Sequence, residues 1–263
     1  MCLRKKIMAV YTTEITSDKL TSDNPIHQRL LKAYYIAKDH VKGNLLEIGC
    51  GEGRGVALLS DLVDGYTGID KINEVIKSLS TAYPKAIFLQ SVIPPLSFAD
   101  ASFDSVISFQ VIEHIKDDDR YLGEIARVLK PGGVALITTP NIKMSLSRNP
   151  WHIREYTAQE LADLCQPYFS KVELLGITGN EKVMAYYEQN KVSVKRLTRF
   201  DILDLQHKLP ASWLKIPYEI MNRLNRNKLQ SSDNELVKSI THGDYSISDN
   251  GDQSLDLLAV LTR

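Results

Sequence analysis

Residues 44–55 read NLLEIGCGEGRG, and this stretch decides how the rest of the chain is interpreted. A short apolar run, as expected of a strand buried in a parallel sheet, precedes three glycines at alternate positions, Gly49, Gly51 and Gly53. Glycine permits positive φ and lets a ligand approach the backbone closely. Apolar residues then recur on one side of residues 54–62. The stretch therefore predicts a strand, a glycine turn and a helix.

Two nucleotide-binding patterns compete for this turn. A dinucleotide fingerprint requires G-x-G-x-x-G, and it fails here because the sixth position counted from Gly49 is Arg54. The pattern G-x-G-x-G fits, with the acidic Glu47 two residues before the first glycine. In this form the segment resembles motif I of the class I S-adenosylmethionine (SAM) methyltransferases.

The motifs that follow keep the order of that family. Residues 65–70 (GYTGID) predict a second strand ending in Asp70, whose carboxylate could accept hydrogen bonds from both ribose hydroxyls of a nucleoside. Residues 95–104 (PLSFADASFD) resemble the family's P-F-x-D-x-S-F-D turn, and residues 103–141 follow the family closely. The resemblance spans residues 40–178, and the chain is identified as similar to methyltransferases of the type 11/23 domain, with a core like that of ubiquinone-pathway O-methyltransferases.

The alternation of strands and helices predicts an α/β fold, a Rossmann-like doubly wound sheet. The resemblance implies seven strands, mostly parallel, with the last one, residues 255–261, antiparallel. We expect the insertion before that strand to cover the ligand edge as a helical cap, and its polar end, residues 231–254, to be mobile. The predicted organisation is an N-terminal arm and helix over residues 1–42, the SAM-binding core over 43–178, the helical cap insertion over 179–253 and the final core strand over 254–263.

The resemblance also implies a cofactor site at the carboxyl ends of the parallel strands, where such sheets bind ligands. Lys71 and Ile72 would flank the adenine ring. Many members carry an acid near Ser91, and this chain does not, so a hydroxyl or a backbone group would make the adenine contact. The expected SAM-binding residues are Glu47, Gly49, Cys50, Gly51, Gly53, Asp70, Lys71, Ile72, Ser91, Val92, Phe109 and Gln110.

The expected reaction is an in-line displacement on an activated methyl group, which mainly requires the acceptor and the methyl carbon to be aligned. A hydroxyl acceptor must also lose its proton. His114, just after the fourth strand, is the expected base, because histidine exchanges protons near neutral pH. The alternative is that Glu113 and His114 only begin the next helix.

Residues 110–114 (QVIEH) resemble the E-x-x-E-H segment of ubiquinone-pathway and small-RNA 2′-O-methyltransferases, which bind a divalent metal there. Gln110 replaces the first acid, which disfavours a metal, and we expect none as a resident cofactor. His152 lies in a loop that resembles the histidine-bearing loop of the RNA enzymes. It could join Glu113 and His114 as a ligand or as part of a hydrogen-bonded base, or it could only anchor its loop. The three are the catalytic candidates.

The acceptor is expected to be a small molecule or a saccharide, methylated at oxygen. His27, Tyr34 or Tyr35 could face its pocket, and Arg154 or Tyr156 could recognise it. Alternatives are an RNA or protein methyltransferase on the same core, a SAM-binding protein without catalysis and, weakest, an oxidoreductase. The sequence does not identify the acceptor or the oligomeric state.

Charge, cysteine content and hydropathy indicate which classes of partner and which cellular location to expect. The formal net charge is zero, which disfavours binding of nucleic acid through the overall charge of the chain. The basic residues 191–199 raise RNA binding as a rival, although such a stretch is more typical of the solvated face of a helix. Cys2, Cys50 and Cys165 show neither metal spacing nor a disulfide framework, which favours the cytoplasm. No apolar run is long enough for a transmembrane helix, and Met8 is an alternative start to Met1.

Overall fold

The computed structural model describes residues 20–199 and 205–263. Most of the predicted N-terminal arm, including Met1, Cys2 and Met8, lies outside the described residues. The helices are α1 (Asn24–Ala37), α2 (Val56–Leu59), α3 (Asn73–Ala82), α4 (Asp118–Val128), α5 (Ala158–Cys165), α6 (Glu181–Thr198), α7 (Leu205–Lys208), α8 (Ala211–Ser232) and α9 (Asn234–Ser239). The strands are β1 (Asn44–Ile48), β2 (Gly65–Asp70), β3 (Ile87–Gln90), β4 (Phe103–Phe109), β5 (Leu129–Pro140), β6 (Lys171–Gly179), β7 (Tyr245–Ser248) and β8 (Asp256–Thr262).

The strands form one sheet in the order β3-β2-β1-β4-β5-β8-β6-β7. Strands β1 to β5 are parallel, and β8 runs antiparallel to both β5 and β6. The predicted α/β class and the antiparallel last strand are confirmed. The chain adds β2 and β3 on one side of β1 and then β4 and β5 on the other side. The ends of β1, β2 and β4 therefore lie side by side, and doubly wound sheets bind ligands at such a reversal of strand order.

The predicted count of seven strands was wrong, because the described part of the chain contributes eight to the sheet. The additional strand, β7, lies at the edge beside β6, inside the segment that we expected to be mobile. Its apolar residues, Tyr245 and Ile247, alternate with two serines, a period-two pattern too short to separate from a loop.

Two compact units divide the described residues. The larger contains Leu30–Met144, Ile153–Thr178 and Ile247–Arg263. Its core lies between the sheet and α4, and includes Leu46, Ile48, Val106, Tyr121, Leu122, Ile125 and Ile137. Residues 45–48 of β1 are buried without a break rather than at alternate positions, as expected of a strand that is covered on both faces of a parallel sheet.

The smaller unit combines residues 20–29, Ser145–His152 and the described residues of Gly179–Ser246. Asp23 is buried and accepts hydrogen bonds from Arg223 Nη1 at 2.8 Å and Arg226 Nη1 at 3.1 Å. The side chain of Asn24 donates to the carbonyls of Val237 and Ile240 at 2.8 and 2.9 Å. The start of α1 is thus fixed to α8 and to the residues around α9. Across the described residues, no helix combines the length and the apolarity needed to cross a membrane.

A capping box begins α5, as the sequence predicts. Thr157 Oγ1 accepts the backbone N–H of Glu160 at 3.2 Å, and Glu160 Oε2 accepts the backbone N–H of Thr157 at 2.8 Å.

Thr157→Ala should therefore lower the free energy of unfolding by about 1 kcal/mol in urea titration. Thr81→Ala is the control, because the Thr81 hydroxyl donates to Lys77 within α3 and caps no helix. Equal losses in both variants would contradict the capping role.

Candidate functional site

The glycine turn after β1 has the backbone geometry that only glycine tolerates easily. Gly49, Gly51 and Gly53 have φ of +77°, +48° and +79°. A Cβ at Gly49 would lie 2.4 Å from Val111 Cγ2, and one at Gly53 would lie 2.4 Å from Leu79 Cδ2. Side chains cannot be added at Gly49 or Gly53 without displacing these neighbours, so the turn packs closely against Val111 and Leu79.

Asp70 joins the glycine turn to the end of β2. Its Oδ2 accepts the backbone N–H of Gly51 at 3.0 Å, and its Oδ1 accepts the backbone N–H of Ile72 at 3.0 Å. The N–H groups of Gly49 and Cys50 both donate to the Ile69 carbonyl, at 2.8 and 3.0 Å. A carboxylate has about four acceptor positions, so both oxygens of Asp70 keep capacity for a ligand hydroxyl.

The residues expected around an adenine ring come together at the ends of β2 and β3. The backbone N–H of Ser91 donates to the Asp70 carbonyl at 2.9 Å, and the Gln90 amide donates to the Lys71 carbonyl at 3.0 Å. Val92 is highly exposed, and Ile72 is half-buried. These contacts hold the two strand ends against each other beside the glycine turn.

Glu47 is buried, and its carboxyl group contacts two tyrosines. The hydroxyl of Tyr34 donates to Oε1 at 2.7 Å, and that of Tyr66 donates to Oε2. Burial raises the pKa of Glu47 to about 7, although both tyrosine hydrogen bonds and the nearby Arg54 favour its charged form. Glu47 remains a predicted cofactor residue, and its observed contacts link β1 to α1 and β2. Burial also raises the pKa of the neighbouring Cys50 thiol.

The end of β4 packs against the same turn. The Phe109 ring meets the Tyr34 ring edge-on, with centroids 4.9 Å apart. Gln110 has a positive φ of 58°, uncommon for a residue with a side chain, and its backbone N–H donates to the Thr138 carbonyl at 2.9 Å. The backward bend at Gln110 brings Val111 against Gly49.

Glu113 is buried and holds neighbouring segments in place. Thr139 Oγ1 donates to its Oε2 at 3.0 Å. Its carbonyl accepts the backbone N–H groups of Ile153 and Arg154 at 2.7 and 3.3 Å. Its neighbour His114 is half-buried and lies in a single helical turn. The backbone N–H of His114 donates to the Val111 carbonyl at 2.9 Å.

His152 precedes Ile153 in the chain and forms two hydrogen bonds with Asn149 of its own loop. The Asn149 amide donates to His152 Nε2 at 2.8 Å, and the backbone N–H of His152 donates to the Asn149 carbonyl at 3.1 Å. Glu113, His114 and His152 each offer one atom suited to a divalent metal, a carboxylate oxygen or an imidazole nitrogen.

Arg154 and Tyr156, suggested by the sequence as acceptor-recognition residues, are both engaged by Asp118. The Tyr156 hydroxyl donates to Asp118 Oδ2 at 2.8 Å, and Arg154 Nη1 donates to the same oxygen at 3.2 Å. The Arg154 guanidinium lies 4.8 Å from the Tyr156 ring centroid. Tyr156 is fully buried, so it belongs to the core.

Sequence reasoning missed the partners of the buried carboxyl groups. Tyr34 and Tyr66 lie 13 and 19 residues from Glu47, and Thr139 lies 26 residues from Glu113. The only available signal was the burial itself, because an acid inside an apolar strand requires hydrogen-bond donors from neighbouring elements.

Comparison with known proteins agrees with this geometry. The model of the methyltransferase domain family matches residues 46–137, which include the glycine turn, Asp70 and the end of β4. Residues 46–137 form a methyltransferase domain.

Two relatives extend this assignment. A protein of Mycolicibacterium smegmatis named as a probable SAM-dependent methyltransferase is 39% identical over 135 residues, covering 49% of this chain and 52% of that protein. The ubiquinone biosynthesis O-methyltransferase of Rickettsia conorii is 32% identical over 133 residues, covering 49% of this chain and 44% of that protein. The matches thus span about half the length of these relatives.

A solved structure has a similar fold. It is a SAM-dependent methyltransferase of Thermotoga maritima, described as a possible histamine N-methyltransferase. It matches with a TM-score of 0.59 at 13% identity, covering 100% of this chain and 95% of that one. At this identity the likeness shows the fold alone.

The raised pKa of Glu47 predicts a pH-dependent stability. Between pH 4.5 and about 7 the native state holds a proton on Glu47 that the unfolded chain releases, so the free energy of unfolding should fall as pH rises through this window. The fall should reach about 3 kcal/mol, and Glu47→Gln should remove it. Urea titrations across this pH range measure the effect, with the exposed Glu52→Gln as control. Parallel profiles for wild type and Glu47→Gln would contradict the prediction.

Proposed function

We propose that the chain transfers a methyl group from SAM to an oxygen atom of a small-molecule or saccharide acceptor. The observation that carries this proposal is the Asp70 carboxylate, fixed by the N–H groups of Gly51 and Ile72 beside the glycine turn. An acid in this place suits the two adjacent hydroxyls of a ribose. The names of the relatives from Mycolicibacterium smegmatis and Rickettsia conorii support both the cofactor and an oxygen acceptor.

The site residues fit the cofactor by their shape and by their hydrogen-bonding groups. The turn at Gly49, Gly51 and Gly53 would hold the amino-acid part of SAM, because the backbone of a glycine turn lets a ligand approach closely. Asp70 would accept from the ribose, and the segments at Ile72 and Ser91 would flank the adenine. When bound, SAM supplies a methyl group already activated on a sulfonium.

The chain's own contribution is chiefly alignment. An activated methyl group needs an acceptor held in line, and such positioning accounts for a large part of the rate in reactions of this kind. His114, half-buried at the end of β4, would remove the proton of an acceptor hydroxyl. Glu113 would act through the backbone by fixing residues 153 and 154 at this end of the sheet. We therefore regard Glu113 as a positioning residue and His114 as the base.

A divalent metal on Glu113, His114 and His152 is the alternative way to activate a hydroxyl, because a bound cation lowers the pKa of the oxygen it coordinates. The donor types suit such an ion. Against this, Glu113 Oε2 is engaged by Thr139, His152 Nε2 is engaged by Asn149, and Gln110 replaces one acid of the resembling motif. We favour the metal-independent reaction.

A nucleic-acid substrate is the other rival. Arg223 and Arg226, which could add positive charge to an RNA-binding surface, are engaged by the buried Asp23. The described cysteines, Cys50 and Cys165, are buried free thiols, consistent with the reducing cytoplasm as the proposed location.

Asp70→Ala should weaken binding of S-adenosylhomocysteine by about 1–3 kcal/mol, because a hydrogen bond to a charged group is lost. Isothermal titration calorimetry measures the affinity, with the exposed Asp61→Ala as matched control and NAD as control ligand. Asp70→Asn keeps the size of the side chain and should weaken binding less. Unchanged affinity in Asp70→Ala would remove Asp70 from the cofactor site, and tight NAD binding would favour an oxidoreductase.

His114→Ala should lower turnover by about 10²–10⁴-fold while leaving S-adenosylhomocysteine affinity nearly unchanged, as expected for loss of a general base. Transfer of labelled methyl from SAM to a panel of phenols, alcohols and saccharides measures turnover, with His40→Ala as control. A wild-type rate in His114→Ala would exclude the base role. A rate abolished by EDTA and restored by Mg²⁺ would replace the base with the metal alternative. Cofactor binding without transfer to any acceptor would favour a SAM-binding protein without catalysis.

A further inference from the structure

Helix α8, in the smaller unit, turns an apolar stripe toward solvent. The stripe consists of Trp213, Ile216, Ile220 and Leu224, which are 70%, 69%, 56% and 63% exposed. The spacing of three, four and four residues places all four on one side of the helix. From Trp213 to Leu224 the stripe extends about 16 Å.

The packed side of the same helix is partly polar. Asn225 is buried, and its Nδ2 donates to Asn190 Oδ1 at 2.7 Å, while Arg223 and Arg226 bind Asp23. An ordinary surface helix buries its apolar stripe and exposes its polar side. Helix α8 instead exposes its apolar stripe, which indicates that apolar groups of another molecule or assembly cover this surface.

The smaller unit is also basic, although the whole chain is neutral. Residues 181–228 contain ten lysine or arginine residues and five aspartate or glutamate residues. Lys195, Arg196 and Arg199 are exposed at the end of α6, and Lys228 is exposed on α8. The occupant of the stripe should therefore combine apolar contacts with negative charge.

Charge argues against two other occupants. A second copy of the chain would place two basic units together, which costs electrostatic free energy. Residues 1–19 contain four basic and two acidic residues, so they carry the same sign as the unit. RNA would satisfy the lysines and arginines but would leave most of the apolar stripe exposed to water.

We propose that α8 binds the surface of an anionic lipid bilayer, lying in the headgroup region with the stripe of Trp213, Ile216, Ile220 and Leu224 inserted. A helix with aromatic and aliphatic side chains on one face and lysine and arginine beside it is the usual interfacial arrangement. Anionic headgroups attract the basic residues, and the apolar stripe then displaces water at the acyl boundary.

Co-sedimentation of the full chain with vesicles tests this inference. Wild type should bind vesicles of equal phosphatidylglycerol and phosphatidylcholine at least about tenfold more strongly than vesicles of phosphatidylcholine alone. Ile220→Ser with Leu224→Ser should reduce that binding at least about tenfold, because two inserted side chains become polar. The matched control is Leu62→Ser with Ile87→Ser, residues 49% and 57% exposed in the larger unit, and it should bind as wild type does. Equal loss in both double variants would overturn the proposal.

Tryptophan fluorescence gives a second readout that does not depend on the double variants. The chain contains two tryptophans, so Trp151→Phe leaves Trp213 as the single reporter. Its emission should shift to shorter wavelength on addition of the phosphatidylglycerol vesicles and stay unchanged with phosphatidylcholine. No shift with either vesicle would overturn the proposal.

Two other results would identify a different binding partner for the stripe. A concentration-dependent dimer in sedimentation velocity, lost in Ile220→Ser with Leu224→Ser and unaffected by vesicles, would identify a second copy as the occupant. Binding of a polyuridine oligonucleotide without binding of vesicles would identify RNA. Either result overturns the lipid assignment and leaves the proposed methyl transfer untouched, because that proposal depends on Asp70 and His114 in the larger unit.

Discussion

The contact on which the candidate site depends is the pair of hydrogen bonds that Asp70 accepts from Gly51 and Ile72. One carboxylate fixes the glycine turn after β1 against the end of β2, two elements that the parallel sheet brings side by side. The glycines of the turn adopt positive φ, and the N–H groups of Gly49 and Gly51 donate to Ile69 and Asp70 of β2. The same carboxylate keeps acceptor positions for a ligand, so the group that shapes the turn is also the group proposed to bind the ribose.

A second carboxyl group, that of Glu47, stabilises the strand that leads into the turn. In water a carboxylate is strongly solvated, and inside β1 the carboxyl group of Glu47 accepts hydrogen bonds from the hydroxyls of Tyr34 and Tyr66 instead. The pKa of Glu47 rises to about 7 because burial removes the water that would solvate the charged carboxylate. The contact of the Tyr34 ring with Phe109 extends the arrangement to the end of β4. Loosening one hydroxyl contact would therefore disturb β1, α1 and β4 together.

Much of the fold could be predicted from the sequence, because its signals are local. Apolar runs, alternate glycines and the Thr157–Glu160 box each lie within a few residues and predict β1, the turn and the start of α5. Long-range partners could not be predicted, since no local pattern links Glu47 to Tyr66 or Glu113 to Thr139. The strand β7 was missed for a related reason: four residues with alternating serines carry too little signal without their partner strand.

The buried polar groups also limit which residues can perform chemistry. Glu113, Arg154 and Tyr156 are polar residues for which functional roles could be expected, yet each is engaged in a contact with Thr139 or Asp118. Breaking the contact of Glu113 with Thr139 or that of Tyr156 with Asp118 would leave a buried polar group unsatisfied. His114 differs in being half-buried at the end of β4. A site with one candidate base and many positioning residues suits methyl transfer, because the sulfonium already activates the methyl group and alignment is the main requirement.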